Sequence, residues 1–182
     1  MCELQALVLG VVIGAVCTGA VNLVVDWIKA LRLRRAVGNG LLMEIRHCAE
    51  AGDSLRSCFD AVVENPVRVL RKAYFQEIET PLWSAACKSL SSLPRKHLPR
   101  LVAFFAGVSR INHRVRSFLI EQERLPLVYK EHEGEEREFL TSSIVQALLS
   151  GAKTNAGMCG KLAECREITD LGELPSEPAH IY

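Results

Sequence analysis

Apolar positions along this chain fall into two regimes. Over residues 4–25 they are nearly continuous: LQALVLGVVIGAVCTGAVNLVV carries no charge, and its polar side chains are Gln5, Thr18 and Asn22. From residue 41 onward they recur at helical spacing, with charged residues between them. The first regime has the length of a membrane crossing, since at 1.5 Å per residue it extends roughly 33 Å, about a bilayer core. The second reads as amphipathic helices packed on one another, and no stretch alternates apolar and polar residues as a half-buried strand would. The pattern predicts an all-α chain: a single N-terminal transmembrane helix followed by a cytoplasmic four- to five-helix bundle.

Within the second regime, Leu41, Ile45, Cys48, Gly52, Leu55, Phe59 and Val62 follow the alternating four-three spacing of an apolar seam, with Glu44, Arg46, Glu50, Asp53 and Arg56 off it. This predicts a long helix that stops before Asn65-Pro66. Gly38-Asn39-Gly40, just ahead of it, is either a turn or a soft joint in a continuous helix. Residues 67–79 read as a short helix or an ordered loop. Thr80-Pro81 then has the form of a helix start, with Thr as N-cap, and Leu82, Trp83, Ala86 and Leu90 as the buried face. A long helix is predicted over 97–124 on a seam of Leu98, Leu101, Phe105, Val108, Asn112, Val115 and Leu119. After an acidic connection at 131–138, a helix over 139–149 turns Phe139, Leu140, Ile144, Leu148 and Leu149 inward. Gly151 is expected to break it, and a weaker helix follows over 154–168. The domains on this reading are a transmembrane helix with a basic juxtamembrane segment (1–36), a cytoplasmic helical bundle (37–169) and a disordered tail (170–182).

Flanking charge orients the span. Only Glu3 is charged ahead of it, whereas Lys29, Arg32, Arg34 and Arg35 follow it. Cytoplasmic flanks carry the Lys and Arg excess, so the N-terminus is expected outside and the C-terminal domain in the cytoplasm. The same four cations are candidates for contact with anionic lipid head groups. A cleaved signal peptide would carry its basic residues before the apolar core rather than after it. Within the span, Ala6, Gly10, Gly14 and Thr18 recur every four residues and Asn22 continues the row. Such a small-residue face lets two helices approach closely, with Thr18 and Asn22 placed to hydrogen-bond across the contact, and it is the candidate for transmembrane self-association.

Composition adds little chemistry. The mean hydropathy of +0.14 reflects the N-terminal run, and a net charge of +1 gives no global electrostatic case for nucleic acid. Seven cysteines form no C-x-x-C pair, and the odd number together with the cytoplasmic topology argues for reduced thiols. No H-E-x-x-H, G-x-S-x-G, Walker loop or dinucleotide fingerprint occurs, so no catalytic residue, metal ligand or cofactor is assigned. Two features remain. Arg95, Lys96, Arg100, Arg110, Arg114 and Arg116 lie in a stretch free of acidic residues, a candidate contact for a neighbouring subunit or lipid, or else a solvated face paired with the acidic 131–138 connection. Asn112 interrupts an apolar seam, where one amide can fix helix register, or it sits at the seam's edge and bonds to a loop carbonyl.

By architecture alone the chain resembles small single-span bacterial proteins with helical cytoplasmic domains, some of which accompany antiphage systems. Certain membrane accessory proteins of RNA-targeting CRISPR systems share this outline and assemble into ring-shaped pores. The Arg-then-His motif associated with such helical domains is missing, Arg110-Ile-Asn-His113 being too short for it, and no residue roles carry over. The expectation is a non-enzymatic, membrane-anchored protein that forms homo-oligomers as a scaffold or pore-forming effector, its partners being the bilayer and other copies of itself. The alternative is a membrane-tethered enzyme or nucleic-acid-binding module using the basic helix at 95–116.

Overall fold

The computed structural model describes the backbone at residues 2–66, 75–88, 95–126 and 136–174, and the side chains there from residue 16 onward apart from 136–138. All regular structure among these residues is helical. Helix α1 runs from Cys2 to Glu64, 63 residues without interruption, or roughly 95 Å at the standard rise. Gly38-Asn39-Gly40 is therefore not a turn, and the boundary expected between residues 36 and 37 falls inside one helix. Every seam position predicted for its second half is buried, from Leu41 to Val62.

Among the described residues no helix is long and apolar enough to cross a membrane. A spanning stretch taken from residue 16 onward soon meets Asp26, Lys29 and Arg32, while the side chains of residues 4–15 of the expected span lie outside the described set.

Helix α1 packs along α5 (Ser143–Ala163), and this pair forms the spine of the bundle. The close approach depends on Gly52. A Cβ there would lie 3.1 Å from Leu162 Cδ2 and 3.2 Å from the Cys159 carbonyl oxygen. Helix α5 runs straight through Gly151, contrary to the predicted break. A helical glycine costs about 1 kcal/mol relative to alanine, and burying Val145, Leu148, Ala152, Ala156, Met158, Cys159 and Leu162 along one helix outweighs that. The predicted inward Ile144 is instead 47% exposed, because the buried stripe begins one residue later at Val145. Ser142 caps the helix, its hydroxyl accepting from the Val145 N–H at 3.5 Å. The short helix α4 (Glu136–Thr141) precedes it and contributes Phe139, fully buried.

Helix α3 (Leu98–Gln122) closes the third side. Leu101, Phe105, Val108 and Val115 are buried as predicted, but Leu98, Asn112 and Leu119 are half-buried, and Phe104, Ile111 and Phe118 go inside. The buried face is wider and rotated because α3 meets both α5 and the segment at 75–80. That segment is not helical. It sends Phe75 and Ile78 into the core, where Phe75 packs on Phe59 of α1 and Phe118 of α3 with ring centroids 4.6 and 5.2 Å away.

The chain stays ordered past residue 169. A 3-10 turn at Leu171–Glu173 is closed by a capping box between Asp170 and Glu173, and Leu171 and Leu174 are buried. The expected disordered tail is thus corrected for residues 170–174, and 175–182 lie outside the described residues. Arg46 ties this region to α1, its Nε and Nη2 donating to the Ile168 carbonyl at 3.3 Å each.

Candidate functional surfaces

The first surface is the projecting part of α1. Val16, Val21, Leu23, Val24, Val25, Trp27 and Ile28 are all exposed, Leu23 by 74% and Trp27 by 64%. At 100° per residue these side chains sweep about 200° of the helix, and Thr18, Asn22, Asp26 and Lys29 fall in the remaining arc. An exposed apolar face this broad belongs against a membrane or another apolar surface. Thr18 and Asn22 lie exposed on this helix, 40° apart around its axis. Ala6, Gly10 and Gly14 belong to the residues whose side chains are not described. Lys29, Arg32, Arg34 and Arg35 are exposed too, and they spread over about 220° of the helix as a broad collar rather than forming one face. Lys29 reaches Asp26 at 3.8 Å, a pair about three-quarters exposed on both sides and worth little in water.

The basic stretch does not form a single patch. Arg95 and Lys96 are exposed in a 3-10 turn ahead of α3, Arg100 is half-buried, and Arg110 and Arg114 follow roughly 15–20 Å along the helix. Arg116 points elsewhere and is committed to Glu77 of the 75–80 segment, with Nε to Oε1 at 3.0 Å and Nη2 to Oε2 at 2.6 Å. That fork of hydrogen bonds holds the Glu77 carboxyl below its usual range. The acidic connection proposed as an alternative partner, 131–138, lies outside the described side chains. Glu77 is the partner that sequence reading missed, since 39 residues separate it from Arg116.

Asn112 has a specific task. Its side-chain carbonyl accepts from the Ile78 N–H and its amide donates to the Ile78 carbonyl, both at 2.8 Å. One amide thereby supplies both bonds that a neighbouring strand would give Ile78. It positions the 75–80 segment on α3 rather than setting the register of two helices. Asn112→Ala is expected to cost about 2 kcal/mol in urea unfolding, because Ile78 loses both partners in a half-buried site. A cost below about 0.5 kcal/mol would show that water replaces the amide freely.

Helix α2 (Pro81–Ala86) is held from a distance. Thr80 makes no side-chain cap. Instead Glu44 of α1, only 5% exposed, accepts from the Leu82 N–H at 2.8 Å through Oε1 and from the Trp83 N–H at 2.7 Å through Oε2. Trp83 is half-buried and stacks on Phe105, centroids 4.5 Å apart. Leu82, expected inside, is 49% exposed, and Leu90 lies outside the described residues. Leu82 borders an apolar crevice of about 390 Å³ with Ala36, Val37 and Gly40 of α1.

A larger cleft of about 1050 Å³ runs beside α1 between His47, Glu50, Ser54 and Cys58 on one wall and residues 75–79 on the other. Its carboxylates are largely engaged: Glu77 with Arg116, and Glu50 with Arg166 at 4.0 Å. Among the described residues no three or more His, Cys, Asp or Glu side chains gather as a metal site. Burial pushes the Cys48 and Cys159 thiols up to about 12, so they stay protonated and behave as core residues, whereas Cys17 and Cys87 are exposed. No protein-family model matches the chain, and no curated protein or solved structure matches it either.

Proposed function

We propose that this is a membrane-anchored protein that works by self-association rather than catalysis, as an oligomeric scaffold or pore-forming effector. Its N-terminal helix spans the bilayer with the N-terminus outside, and its helical bundle lies in the cytoplasm. The observation that carries the reading is the exposure of Val16, Val21, Leu23, Val24, Val25, Trp27 and Ile28 over about 200° of a helix that extends beyond the bundle. An isolated helix of this kind has no stabilising partner in water, and hydrocarbon or another apolar helix supplies one. The collar of Lys29, Arg32, Arg34 and Arg35 then sits at the level of anionic head groups. The four-residue repeat of Ala6, Gly10, Gly14, Thr18 and Asn22 supports contact between copies inside the bilayer. A role in bacterial antiphage defence is suggested only by the shared outline of one span and a helical domain. The separation of Arg116 from the other cations weakens the competing reading of a basic nucleic-acid face.

Two native thiols test the anchor. In broken membranes a water-soluble maleimide is expected to label Cys87 readily and Cys17 only after denaturation in SDS, with the protein remaining in the pellet through carbonate washing. Equal labelling of Cys17 and Cys87 in membranes, or release by carbonate, would overturn the anchor. Cross-linking in mild detergent is expected to trap dimers or larger species that Gly14→Leu depletes. A monomer indifferent to Gly14→Leu would remove self-association. Leakage of dye-loaded liposomes on addition of the protein separates a pore from a scaffold.

A further inference from the structure

The bundle takes hold of α1 at one turn. Residues 32–36 are exposed, Val37 is half-buried, and Leu41, Glu44 and Ile45 are buried. The tripeptide at this exit is Gly38-Asn39-Gly40, among the weakest helix-forming sequences available. Glycine inside a helix usually earns its place by letting another backbone come close, as Gly52 does against α5. Gly38 has no such reason: a Cβ there would meet nothing within 4 Å. At Gly40 a Cβ would touch only the Leu82 Cδ1, at 3.4 Å, an ordinary contact. Neither residue requires a left-handed backbone, since both lie within continuous helix. The tripeptide's remaining effect is on stiffness.

We infer that residues 38–40 are a joint in α1, at which the projecting helix changes its direction relative to the bundle while the chain on either side stays helical. Gly151 and Gly157 of α5 also have open space beside them, yet they cannot act this way. Buried residues of α5 flank them closely on both sides, Leu148 and Ala152 around the first, Ala156 and Met158 around the second. At 38–40 the buried grip lies on the C-terminal side, with only the half-buried Val37 holding the other. The apolar crevice between Ala36, Val37, Gly40 and α2 leaves room for movement on that face. The joint places the bundle's orientation under the control of whatever surface its neighbours offer, rather than fixing it to the axis of the projecting helix. This inference does not depend on what covers residues 2–36: a helix held by a bilayer and one held by another protein would both need the joint.

Hydrogen exchange and distance measurement test it on the full chain in mild detergent. Amides at 38–42 are expected to exchange faster than those at 44–50. Each glycine lowers local helix formation by a factor of about five against alanine, so Gly38→Ala with Gly40→Ala should slow exchange there by about 25-fold. Gly38→Ala alone, whose new Cβ touches nothing, should retain about a fivefold slowing even where Gly40→Ala disturbs Leu82. Spin labels on the native exposed Cys17 and Cys87, with Cys2 and Cys58 changed to serine and labelled protein diluted in unlabelled copies, report the angle. The distance distribution should be broad in the parent and narrow in the double variant. A distribution equally narrow in both, or exchange at 38–42 that matches 44–50 and ignores the alanines, would overturn the joint while leaving the membrane proposal untouched.

Discussion

Phe59→Ala is expected to destabilise the bundle by about 3–5 kcal/mol, the cost of emptying a large aromatic site that cannot collapse. Phe59 is 0% exposed and stands between Phe75 and Phe118, with ring centroids at 4.6 and 5.3 Å. The three rings come from α1, from the 75–80 segment and from α3, so the cavity would open where three separate stretches of chain meet. Pairwise aromatic geometry adds about 0.5–1.5 kcal/mol beyond area burial. Phe59→Leu should cost less, about 1–2 kcal/mol, since it keeps most of the volume. Urea unfolding in detergent, followed by circular dichroism, measures both. The combined loss from Phe59→Ala and Phe75→Ala should fall short of the sum of the single losses, because each removes the same contact. Fully additive costs would mean that the two rings do not support one another.

Glu44→Ala is expected to cost roughly 3 kcal/mol, from the loss of two hydrogen bonds to a charged acceptor. Proline at the first helical position has no N–H to offer, so the Leu82 and Trp83 amides are the first donors of α2, and Glu44 takes both. A carboxylate at this end also opposes the positive pole of the helix. Six residues do not form a stable helix alone. Without Glu44 the Trp83–Phe105 stack is the principal remaining tie, and the N-terminal turn of α2 should fray. Glu44→Gln keeps one acceptor and should recover about half of the loss. Faster amide exchange at Leu82 and Trp83 in Glu44→Ala would locate the damage, and unchanged exchange there would assign the cap to another group.

Glu44 and Asn112 show where local reading stops. Glu44 lies off the apolar seam of α1, and by periodicity it belongs on the solvent side. It is buried because helix donors 38 and 39 residues further on need an acceptor. Asn112 presents the same situation: its position in a seam was visible, but its partner, Ile78, lies 34 residues earlier in a segment with no helical or strand pattern of its own. Side-chain hydrogen bonds between distant stretches leave no periodic trace in a sequence.

The sequence by itself determined the helical class, the apolar N-terminal run with its basic flank, and the seam from Leu41 to Val62, because each follows from the spacing of apolar side chains on a single helix. Tertiary structure alone decided that Gly38-Asn39-Gly40 and Gly151 stay helical, that residues 75–80 are not helical, that Leu171 and Leu174 join the core, and that Glu44 and Arg116 are spoken for. The reason is one of magnitude. A glycine or a missing cap is worth about 1 kcal/mol locally, whereas burial of several apolar side chains, or a bidentate bond from another part of the chain, is worth more and is settled only when the helices meet.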